Sequence, residues 1–474
     1  MISLCMIVKN EEKNLGKCLE SIADYIKDIV IVDTGSTDNT REIAREYTNK
    51  VYDFKWCGDF SKARNFSISK ASNDWVLILD ADEVICKFDK EKVKNFIKDN
   101  NKTIGRIKRI NPFEDGKEIK KYIERVNRLF NKKYFNYEGI IHEQLVAKDN
   151  SEYEMKSIEI EANHIGYLDE VINVTNKLDR NINLLIDSIN NNPIDPYLYY
   201  QIGKSYYKKK DYVQAYHSFL KSIELCIDFK FEYTEDLIES YGYTLIKCEK
   251  YEEAMKLSKY KTYYVNSPDY SFVMGLVYMN NGNFQESIDY FKRCIGDREG
   301  KIEGINSYHP NHNIGVIYES LGFKEVALGF YNECKDYGPS KQRIKEIMDK
   351  KKEDLEKMKI NIKEYIQNKY LEKAKILIEE SLKINNKDIE VYSMKSVVEI
   401  MENRLVAAEK TLKCSLEIDN KSFDILYNLG YLYEIKEKYK LAVDFYSKAL
   451  IVSESEEVKS QLEEYIKNIE INNF

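Results

Sequence analysis

The clearest chemical signal of this chain is a group of four residues that directly follows an apolar run. Asp80, Ala81, Asp82 and Glu83 directly follow the run 76–79, which is typical of a buried strand. Because carboxylates at the end of a buried strand destabilise a fold unless they are compensated, we expect a cation to meet them there. A hard divalent ion that also binds phosphate oxygens is such a cation. The pattern therefore favours a nucleotide or nucleotide-sugar substrate.

These carboxylates need a fold that presents them, and residues 1–170 indicate an α/β sheet. The predicted strands are 2–8, 29–32, a short one around 51, and 76–79, with helical patterns between them. Such alternation is typical of a mostly parallel sheet covered on both faces. An antiparallel extension is predicted at 125–130, 134–137 and 158–162. Asp33, just past the second strand, then lies at the carboxyl edge, where open α/β sheets bind ligands.

A helical repeat follows from about Pro193. Gly203, Ala215 and Phe219 fit the tetratricopeptide template of small and aromatic residues, and the same frame returns several times. The clearest regular step separates Ala374, Ala408 and Ala442, which lie 34 residues apart. We expect seven units and a closing amphipathic helix around 458–469, in which small residues let paired helices approach and aromatic residues fill the gap beside them.

The predicted organisation therefore has three parts. Residues 1–170 form an α/β domain, residues 171–192 form a connecting helix, and residues 193–474 form an all-α tetratricopeptide solenoid. Such solenoids offer a concave surface for partners. We expect the repeats to hold an acceptor in that groove or to pair two protomers as a homodimer.

Composition narrows the setting of the protein. The net charge of -7 and a pI near 5.7 argue against a nucleic-acid binder, which needs a basic face. Nine cysteines without a Cys-x-x-Cys pair indicate reduced thiols rather than a disulfide framework or a zinc site. The apolar run 2–8 is too short for a signal peptide or a membrane span. We expect a cytoplasmic protein without integral membrane association.

The motifs, taken in order, resemble glycosyltransferase family 2, which has the Rossmann-like GT-A fold. The resemblance is carried by segments 3–12, 33–38 and 80–82. Segments 141–143 and 163–167, with repeats behind them, are similar to the subgroup of sublancin-type peptide S-glycosyltransferases. The resemblance implies a metal-dependent, inverting transfer of a hexose or N-acetylhexosamine from a UDP-sugar. The implied acceptor is a Cys thiol or a Ser/Thr hydroxyl of a peptide or protein.

The same resemblance assigns residues to the donor. Asp33 is expected to accept hydrogen bonds from uridine, and Asp80 to contact the ribose side. Arg64 is expected to bind phosphate or to pair with Asp59, which itself is a candidate for holding sugar hydroxyls. The implied nucleotide-sugar set is Val8, Asn10, Glu11, Asp33, Asp59, Arg64, Asp80 and Ala81, and the implied ligands of Mg²⁺ or Mn²⁺ are Asp82 and His164. Glu11 equally suits a first helical turn, where the helix dipole favours an acid.

An inverting transfer also needs a general base on the face opposite the leaving group. Glu143 is our first choice, and the preceding His142 is the second. The fourth carboxylate of the cluster, Glu83, exceeds what the metal motif needs, and we expect it to face solvent.

Two other functions are compatible with these residues. One is a transferase that extends a cell-surface glycan or a lipid-linked saccharide. The other is a scaffold whose first domain has lost catalysis, although the set of Asp33, Asp80, Asp82, Glu143 and His164 argues against it.

Overall fold

The chain folds into two compact units. The computed structural model describes residues 1–100, 102–115, 118–165, 171–225 and 227–473. The first unit is Met1–Tyr337 and the second is Gly338–Phe474. The sequence boundary at 193 falls inside the first unit, so the first four helix pairs belong to the same compact body as the α/β part.

The α/β part contains a large mixed sheet and a small hairpin. Its strands are β1 (Ile2–Val8), β2 (Asp28–Asp33), β3 (Val51–Asp53), β4 (Trp75–Ile78), β5 (Glu83–Phe88), β6 (Thr103–Asp115), β7 (Glu118–Asn131), β8 (Phe135–Glu138), β9 (Gln144–Ala147) and β10 (Glu154–His164). Its helices are α1 (Leu15–Ile22), α2 (Thr40–Tyr47), α3 (Phe60–Ser69), α4 (Lys90–Asp99) and α5 (Val171–Asn191). The eight-stranded sheet has the order β3-β2-β1-β4-β7-β6-β10-β5, and β8 pairs with β9.

The predicted sheet type is confirmed. Strands β1 to β4 are parallel, whereas β7 joins β4 in antiparallel orientation and begins the extension. The register pairs Val8 with Asp33 and Cys5 with Ile78. The carboxyl ends of β1, β2 and β4 therefore meet at one edge of the sheet, which is where Val8, Asp33 and Asp80 lie.

Two apolar layers hold this edge in place. On one face, Leu4 and Met6 of β1 pack with the buried stripe of α1, including Leu15 and Leu19. On the other face, Cys5 belongs to a second buried cluster. A strand that is buried on both faces consists of a continuous run of apolar residues, which is why the sequence alone predicted β1 and β4.

The repeats form seven helix pairs and a closing helix in the part of the chain that the structure describes, as predicted. In the first unit they are α6 (Pro196–Lys208) with α7 (Tyr212–Glu224), α8 (Glu232–Lys247) with α9 (Tyr251–Ala254), α10 (Pro268–Asn280) with α11 (Phe284–Cys294), and α12 (Tyr308–Ser320) with α13 (Lys324–Glu333). In the second unit they are α14 (Gly338–Gln367) with α15 (Leu371–Ile384), α16 (Ile389–Met401) with α17 (Leu405–Ile418), α18 (Phe423–Ile435) with α19 (Tyr439–Val452), and the closing α20 (Glu456–Asn473). A 3₁₀ turn, Met255–Tyr260, extends the short α9.

Glycine sets the approach of the paired helices. A Cβ added to Gly315 on α12 would lie 2.5 Å from the ring of Tyr331 on α13, closer than real Cβ contacts allow. Gly430 and Tyr446 repeat this geometry at 2.5 Å in the second unit. The aromatic ring thus occupies the volume that a side chain on the first helix would need, which confirms the packing expected from the repeat template.

The β6–β7 hairpin lies against the repeats of the first unit. The N–H of Ile123 donates to the carbonyl of Lys301, and the N–H of Glu303 donates to the carbonyl of Lys121 at 3.0 Å. Tyr122 and Ile302 form an antiparallel bridge between these contacts. A short segment after α11 therefore adds to the edge of the hairpin as a strand would.

Buried charges reinforce this contact. Asp236 on α8 accepts hydrogen bonds from the hydroxyl of Tyr122 at 3.2 Å and from the Nζ of Lys204 at 2.6 Å. Lys301 binds Asp236 at 3.3 Å and Glu239 at 2.6 Å. Burial would raise the pKa of Asp236, but Lys204 and Lys301 hold it far below its usual range. The hairpin and the first helices of the repeats are thus joined by a network of buried acidic and partly exposed lysine side chains.

The glycine geometry yields a stability prediction within one repeat. Gly315→Ala should lower the free energy of unfolding by about 1–3 kcal/mol, because the added methyl group overpacks the ring of Tyr331. The control is Gly329→Ala on the partner helix α13, where a Cβ meets nothing within 4 Å. That change should raise the free energy of unfolding by about 0.5–1 kcal/mol through helix propensity. Urea titration of both full-length variants measures the two effects, and equal shifts would contradict the packing argument.

Candidate active site

Asp33 ends β2 at the carboxyl edge of the sheet. Its Oδ1 accepts hydrogen bonds from the N–H groups of Gly35 at 2.8 Å and Ser36 at 3.0 Å, and from Arg41 at 3.0 Å. Its Oδ2 is buried and accepts no hydrogen bond from the residues that the structure describes. Burial would raise the pKa of Asp33, but the hydrogen bonds from Ser36, Gly35 and Arg41 lower it. An ionised carboxylate with one uncommitted oxygen suits a donor group of a ligand.

The loop after β1 is tied to the loop after β2. Val8, Asn10 and Glu11, all predicted to contact the nucleotide, each take part in this connection. The contacts run from the Thr34 N–H to the Val8 carbonyl (2.9 Å), from the Thr37 N–H to Asn10 Oδ1 (2.8 Å), and from the Glu11 N–H to Thr40 Oγ1 (2.7 Å). Asn10 adopts a left-handed φ of 55° to make its contact. These residues therefore shape the wall beside Asp33, and direct nucleotide contact stays a prediction.

Two buried arginines compensate Asp80. Arg64 on α3 donates to Asp80 Oδ1 at 2.9 Å, and Arg128 on β7 donates to Asp80 Oδ2. Burial would raise the pKa of Asp80, but Arg128 and Arg64 hold it well below its usual range. At least part of the positive charge expected beside Asp80 therefore comes from these two arginine side chains. The sequence pointed to a divalent ion because nothing local in it joins position 80 to positions 64 or 128.

Arg64 does not pair with Asp59, which was one of the two expectations for it. Instead its Nε binds the carboxylate of Glu143 while its Nη2 binds Asp80. Asp59 caps the amino end of α3, where it accepts from the N–H of Lys62 at 3.0 Å and from the hydroxyl of Ser61 at 2.8 Å. This cap places Arg64 on the second turn of α3, facing the sheet edge.

Glu83 is buried, so the expectation that it faces solvent is wrong. Its side chain is 0% exposed and accepts hydrogen bonds from Arg109 at 2.9 Å and Arg128 at 2.6 Å. Its second oxygen accepts from the N–H of Asp80 at 3.0 Å. Glu83 thereby fixes the turn that carries Asp80, Ala81 and Asp82. Arg109 was missed, because a lone arginine on a strand gives no signal of its partner.

Strand pairing brings together the two predicted metal ligands. β10 runs antiparallel to β5, and the register pairs His164 with Glu83. The N–H of Ile165 donates to the carbonyl of Asp82 at 2.9 Å, and His164 Nε2 lies 3.1 Å from Asp82 Oδ2. The following residues of the predicted motif, 166 and 167, lie outside the described residues.

The donor set fits a divalent ion that is shared with a phosphate group. Asp82 offers a carboxylate oxygen and His164 an imidazole nitrogen, a combination that suits Mn²⁺ and is compatible with Mg²⁺. Within the described residues, no cluster of three or more His, Cys, Asp or Glu side chains forms a complete metal cage. Mg²⁺ and Mn²⁺ sites in phosphate-binding proteins commonly use one or two protein ligands, with phosphate oxygens and water completing the shell.

The two candidate bases share one loop, between β8 and β9. Gly139 turns this loop with a φ of 102°, and His142 has a left-handed φ of 52°. The side chain of Glu143 is 11% exposed and is held by Arg64. The Nε2 of His142 is buried and makes no hydrogen bond with the described residues. Burial lowers the pKa of His142 below 6.5, so its imidazole is neutral at neutral pH.

The repeats hold this loop from behind. Ile141 is buried in a cluster with Ile182 and Leu185 of α5 and Ile202 of α6. The N–H of Phe60 donates to the carbonyl of residue 140 at 2.9 Å, which joins the loop to the start of α3. The geometry of the candidate bases thus depends on the first repeat as well as on the sheet.

The comparisons with known proteins agree with this architecture. Residues 3–151 match the model of glycosyl transferase family 2, and residues 196–226, 268–296 and 423–454 match a tetratricopeptide repeat model. The predicted combination of these two parts is confirmed. No helix in the described ranges combines the length and apolar character needed to cross a membrane.

Three relatives illustrate the similarity. The SPbeta prophage-derived glycosyltransferase SunS of Bacillus subtilis is 24% identical over 389 residues, which cover 77% of this chain and 84% of SunS. The lipopolysaccharide core biosynthesis glycosyltransferase LpsC of Rhizobium meliloti is 31% identical over 109 residues, or 22% of this chain and 40% of LpsC. A tetratricopeptide repeat-containing protein of Synechococcus elongatus is 48% identical over 82 residues, 17% of this chain and 20% of that protein.

Two solved structures illustrate the structural similarity, which is low. MamA matches with a TM-score of 0.29 and 16% identity, covering 38% of this chain and 99% of MamA. The tetratricopeptide domain of P58(IPK) matches with a TM-score of 0.23 and 14% identity, covering 63% of this chain and 94% of that domain.

The bridging position of Arg64 yields a stability prediction with a defined pH dependence. Arg64→Met should lower the free energy of unfolding at pH 7 by about 3 kcal/mol, because it leaves two carboxylates without their shared partner. Since Arg64 helps to lower the pKa of Asp80, its contribution is present above 3.8, the usual Asp value, and is lost as the pH falls further. The difference between the variant and the unmodified chain should therefore shrink below about pH 4.

The control is Arg45→Met, which removes an exposed pair with Glu42 at 3.9 Å. Its cost should stay below about 0.5 kcal/mol at either pH. Urea titrations at pH 7 and pH 3.5 measure both variants. A cost for Arg64→Met that is small at pH 7, or equal at both pH values, would contradict its role as a charge bridge.

Proposed function

We propose that this chain, which carries a family 2 glycosyltransferase domain followed by tetratricopeptide repeats, is a metal-dependent, inverting transferase. It moves a hexose or N-acetylhexosamine from a UDP-sugar to a Cys thiol or a Ser/Thr hydroxyl of a peptide or protein. The observation that carries the proposal is the pair Asp82 and His164, 3.1 Å apart beside Asp80 at the sheet edge. Similarity to SunS across 77% of the chain supports the peptide acceptor.

The donor nucleotide lies along the carboxyl edge in this proposal. The uncommitted Oδ2 of Asp33 accepts a hydrogen bond from the uracil imide or a ribose hydroxyl. Each oxygen of Asp80 is bound by one arginine and retains a second lone pair for the ribose. Asp82 and His164 would hold the divalent ion, which when bound neutralises charge on the departing diphosphate.

The acceptor reacts in a single displacement. The sulfur or oxygen of its side chain attacks the anomeric carbon from the face opposite the diphosphate, and the bond from that carbon to the phosphate oxygen breaks as UDP leaves. The acceptor proton moves to the carboxylate of Glu143 or to the neutral Nε2 of His142. Because Arg64 holds Glu143 and Asp80 together, the base and the donor site keep a fixed separation.

The repeats were expected to hold an acceptor, or to pair two protomers, in their concave groove. The β6–β7 hairpin limits which part of the repeats can do this. Part of the face built by α6 and α8 is already occupied by the β6–β7 hairpin of the same chain, whose Tyr122 donates to Asp236 of α8 and lies beneath Lys204 of α6. An acceptor held by the repeats, or a second protomer, therefore binds other surfaces of the repeats than this one.

A second acceptor class is supported by one comparison. LpsC, a lipopolysaccharide core glycosyltransferase, matches 22% of this chain. A saccharide acceptor would use the same donor residues and the same base. Donor hydrolysis tests the transferase itself, and panels of peptide and glycan acceptors with mass detection separate the two classes.

The metal assignment predicts the behaviour of Asp82→Asn. This change should lower Mn²⁺-dependent release of UDP from a UDP-sugar at least 100-fold, because the amide loses the charge that binds the ion. Added chelator should reduce the unmodified chain to the same level. The control is Asp24→Asn, an exposed residue before β2 at the opposite edge of the sheet, which should leave turnover unchanged. Turnover that persists in Asp82→Asn or in chelator would refute the metal dependence.

The base assignment predicts a split between two neighbouring variants. Glu143→Gln should lower kcat by about 10²–10⁴-fold, and His142→Gln by less than tenfold. Profiles of kcat/KM against pH provide a second readout. Since burial lowers the pKa of His142, a base at that position would lose activity only as the pH falls through a value below 6.5. The base would instead be His142 if His142→Gln lowered kcat more than Glu143→Gln did, and if the loss of activity at low pH disappeared in His142→Gln.

A further inference from the structure

The second ring nitrogen of His164 is held by a residue that the sequence did not single out. His164 Nδ1 lies 2.7 Å from Oδ1 of Asn111, a buried residue on β6. The Nδ2 of Asn111 lies 2.8 Å from Glu124 Oε1 and 3.2 Å from the carbonyl of Tyr122. Both of these neighbours accept hydrogen bonds, so the amide must direct its NH₂ group toward them and its oxygen toward His164.

The charge of Glu124 fixes this orientation. Arg109 donates to Glu124 Oε1 through Nε at 3.0 Å and through Nη2 at 2.7 Å. Burial would raise the pKa of Glu124, but Arg109 lowers it, so the carboxylate stays ionised and has no proton to donate. A flipped amide would place its oxygen against this carboxylate, which electrostatic repulsion disfavours.

The tautomer of His164 follows from the same contacts. The amide oxygen of Asn111 only accepts, so Nδ1 of His164 must carry the proton. In the neutral ring, Nε2 then presents a lone pair to the carboxylate of Asp82 at 3.1 Å. Two acceptors at this distance repel each other unless a positive charge lies between them.

We propose that Asn111 is a positioning residue that holds His164 as the Nδ1–H tautomer, so that Nε2 and Asp82 together bind the divalent ion of the donor complex. The inference rests on the metal site of the proposed function and adds a partner behind its histidine. Residues in this outer position orient the ligand ring and raise its basicity, and their loss commonly weakens metal binding 10–100-fold.

The first test measures Mn²⁺ affinity on the full-length chain. Titrations with saturating UDP, followed by electron paramagnetic resonance of free Mn²⁺, compare the unmodified chain with Asn111→Leu, which keeps the size but removes the acceptor. The affinity should fall at least tenfold. The matched control is Asn127→Leu on β7, whose amide contacts Met155 instead of the site, and its affinity should stay within twofold.

The second test observes the tautomer directly. With ring nitrogens of histidine labelled by ¹⁵N, and at a pH where the imidazole is neutral, His164 should appear as the Nδ1–H form without metal. Its signal is assigned by its absence in His164→Gln, and the five histidines of the chain keep the spectrum simple. In Asn111→Leu the Nδ1–H preference should be lost, a change that a merely structural asparagine would not cause.

The outcomes separate this inference from the proposed function. An unmodified chain that binds no Mn²⁺ with UDP would overturn the metal site, whereas the tautomer measurement still decides the role of Asn111. Mn²⁺ affinity that is unchanged in Asn111→Leu would overturn the inference alone. So would an Nε2–H tautomer in the unmodified chain, a result that needs no variant to fold.

Discussion

An alternation of buried and partly buried arginines and carboxylates is the constraint on which the site depends. The members follow each other in space as Glu143, Arg64, Asp80, Arg128, Glu83, Arg109 and Glu124. They come from a loop, a helix, a turn and three strands, so the network closes only when the whole α/β part is folded. Lys204 and Lys208 add further positive charge near Glu124, at one end of the series.

The two aspartates of the turn after β4, Asp80 and Asp82, therefore differ in the side chains that they contact. Both oxygens of Asp80 are engaged by arginine, and its charge is compensated within the protein. Oδ2 of Asp82 lies 3.1 Å from Nε2 of His164, the contact on which the proposed metal site rests. In the proposed function, Asp80 holds the edge of the sheet together and contacts a neutral part of the donor, and Asp82 binds the metal ion together with His164. Compensation of Asp80 by arginine is what makes this division possible.

Strands that are buried on both faces were predicted from the sequence. Strands whose side chains pair with residues of other elements were missed. β1, β2 and β4 are apolar runs, and the residues at or after the ends of β2 and β4 include Asp33, Asp80 and Asp82. β6 was missed because its charged residues, such as Arg106 and Lys108, pair with Glu232 and Glu299 of the repeats rather than face water. Glu83 was misjudged for the same reason. Its partners lie 26 and 45 residues away, and no local pattern announces them.

These long-range partners also explain why the α/β part and the first repeats form one compact unit. Asn111 is paired in register with Tyr122, and the hydroxyl of Tyr122 donates to Asp236 on α8. Asp236, which belongs to the second repeat, thus restrains Tyr122. Tyr122 is the cross-strand neighbour of Asn111, the residue that contacts His164. On the other side of the site, Ile141 next to the candidate bases packs against α5 and α6. The strand that carries Asn111 and the loop that carries Ile141 are thus both supported from the repeats, and in the proposed function the repeats therefore help to set the geometry of the site. A boundary drawn where the repeats begin would cut through the supports of the site.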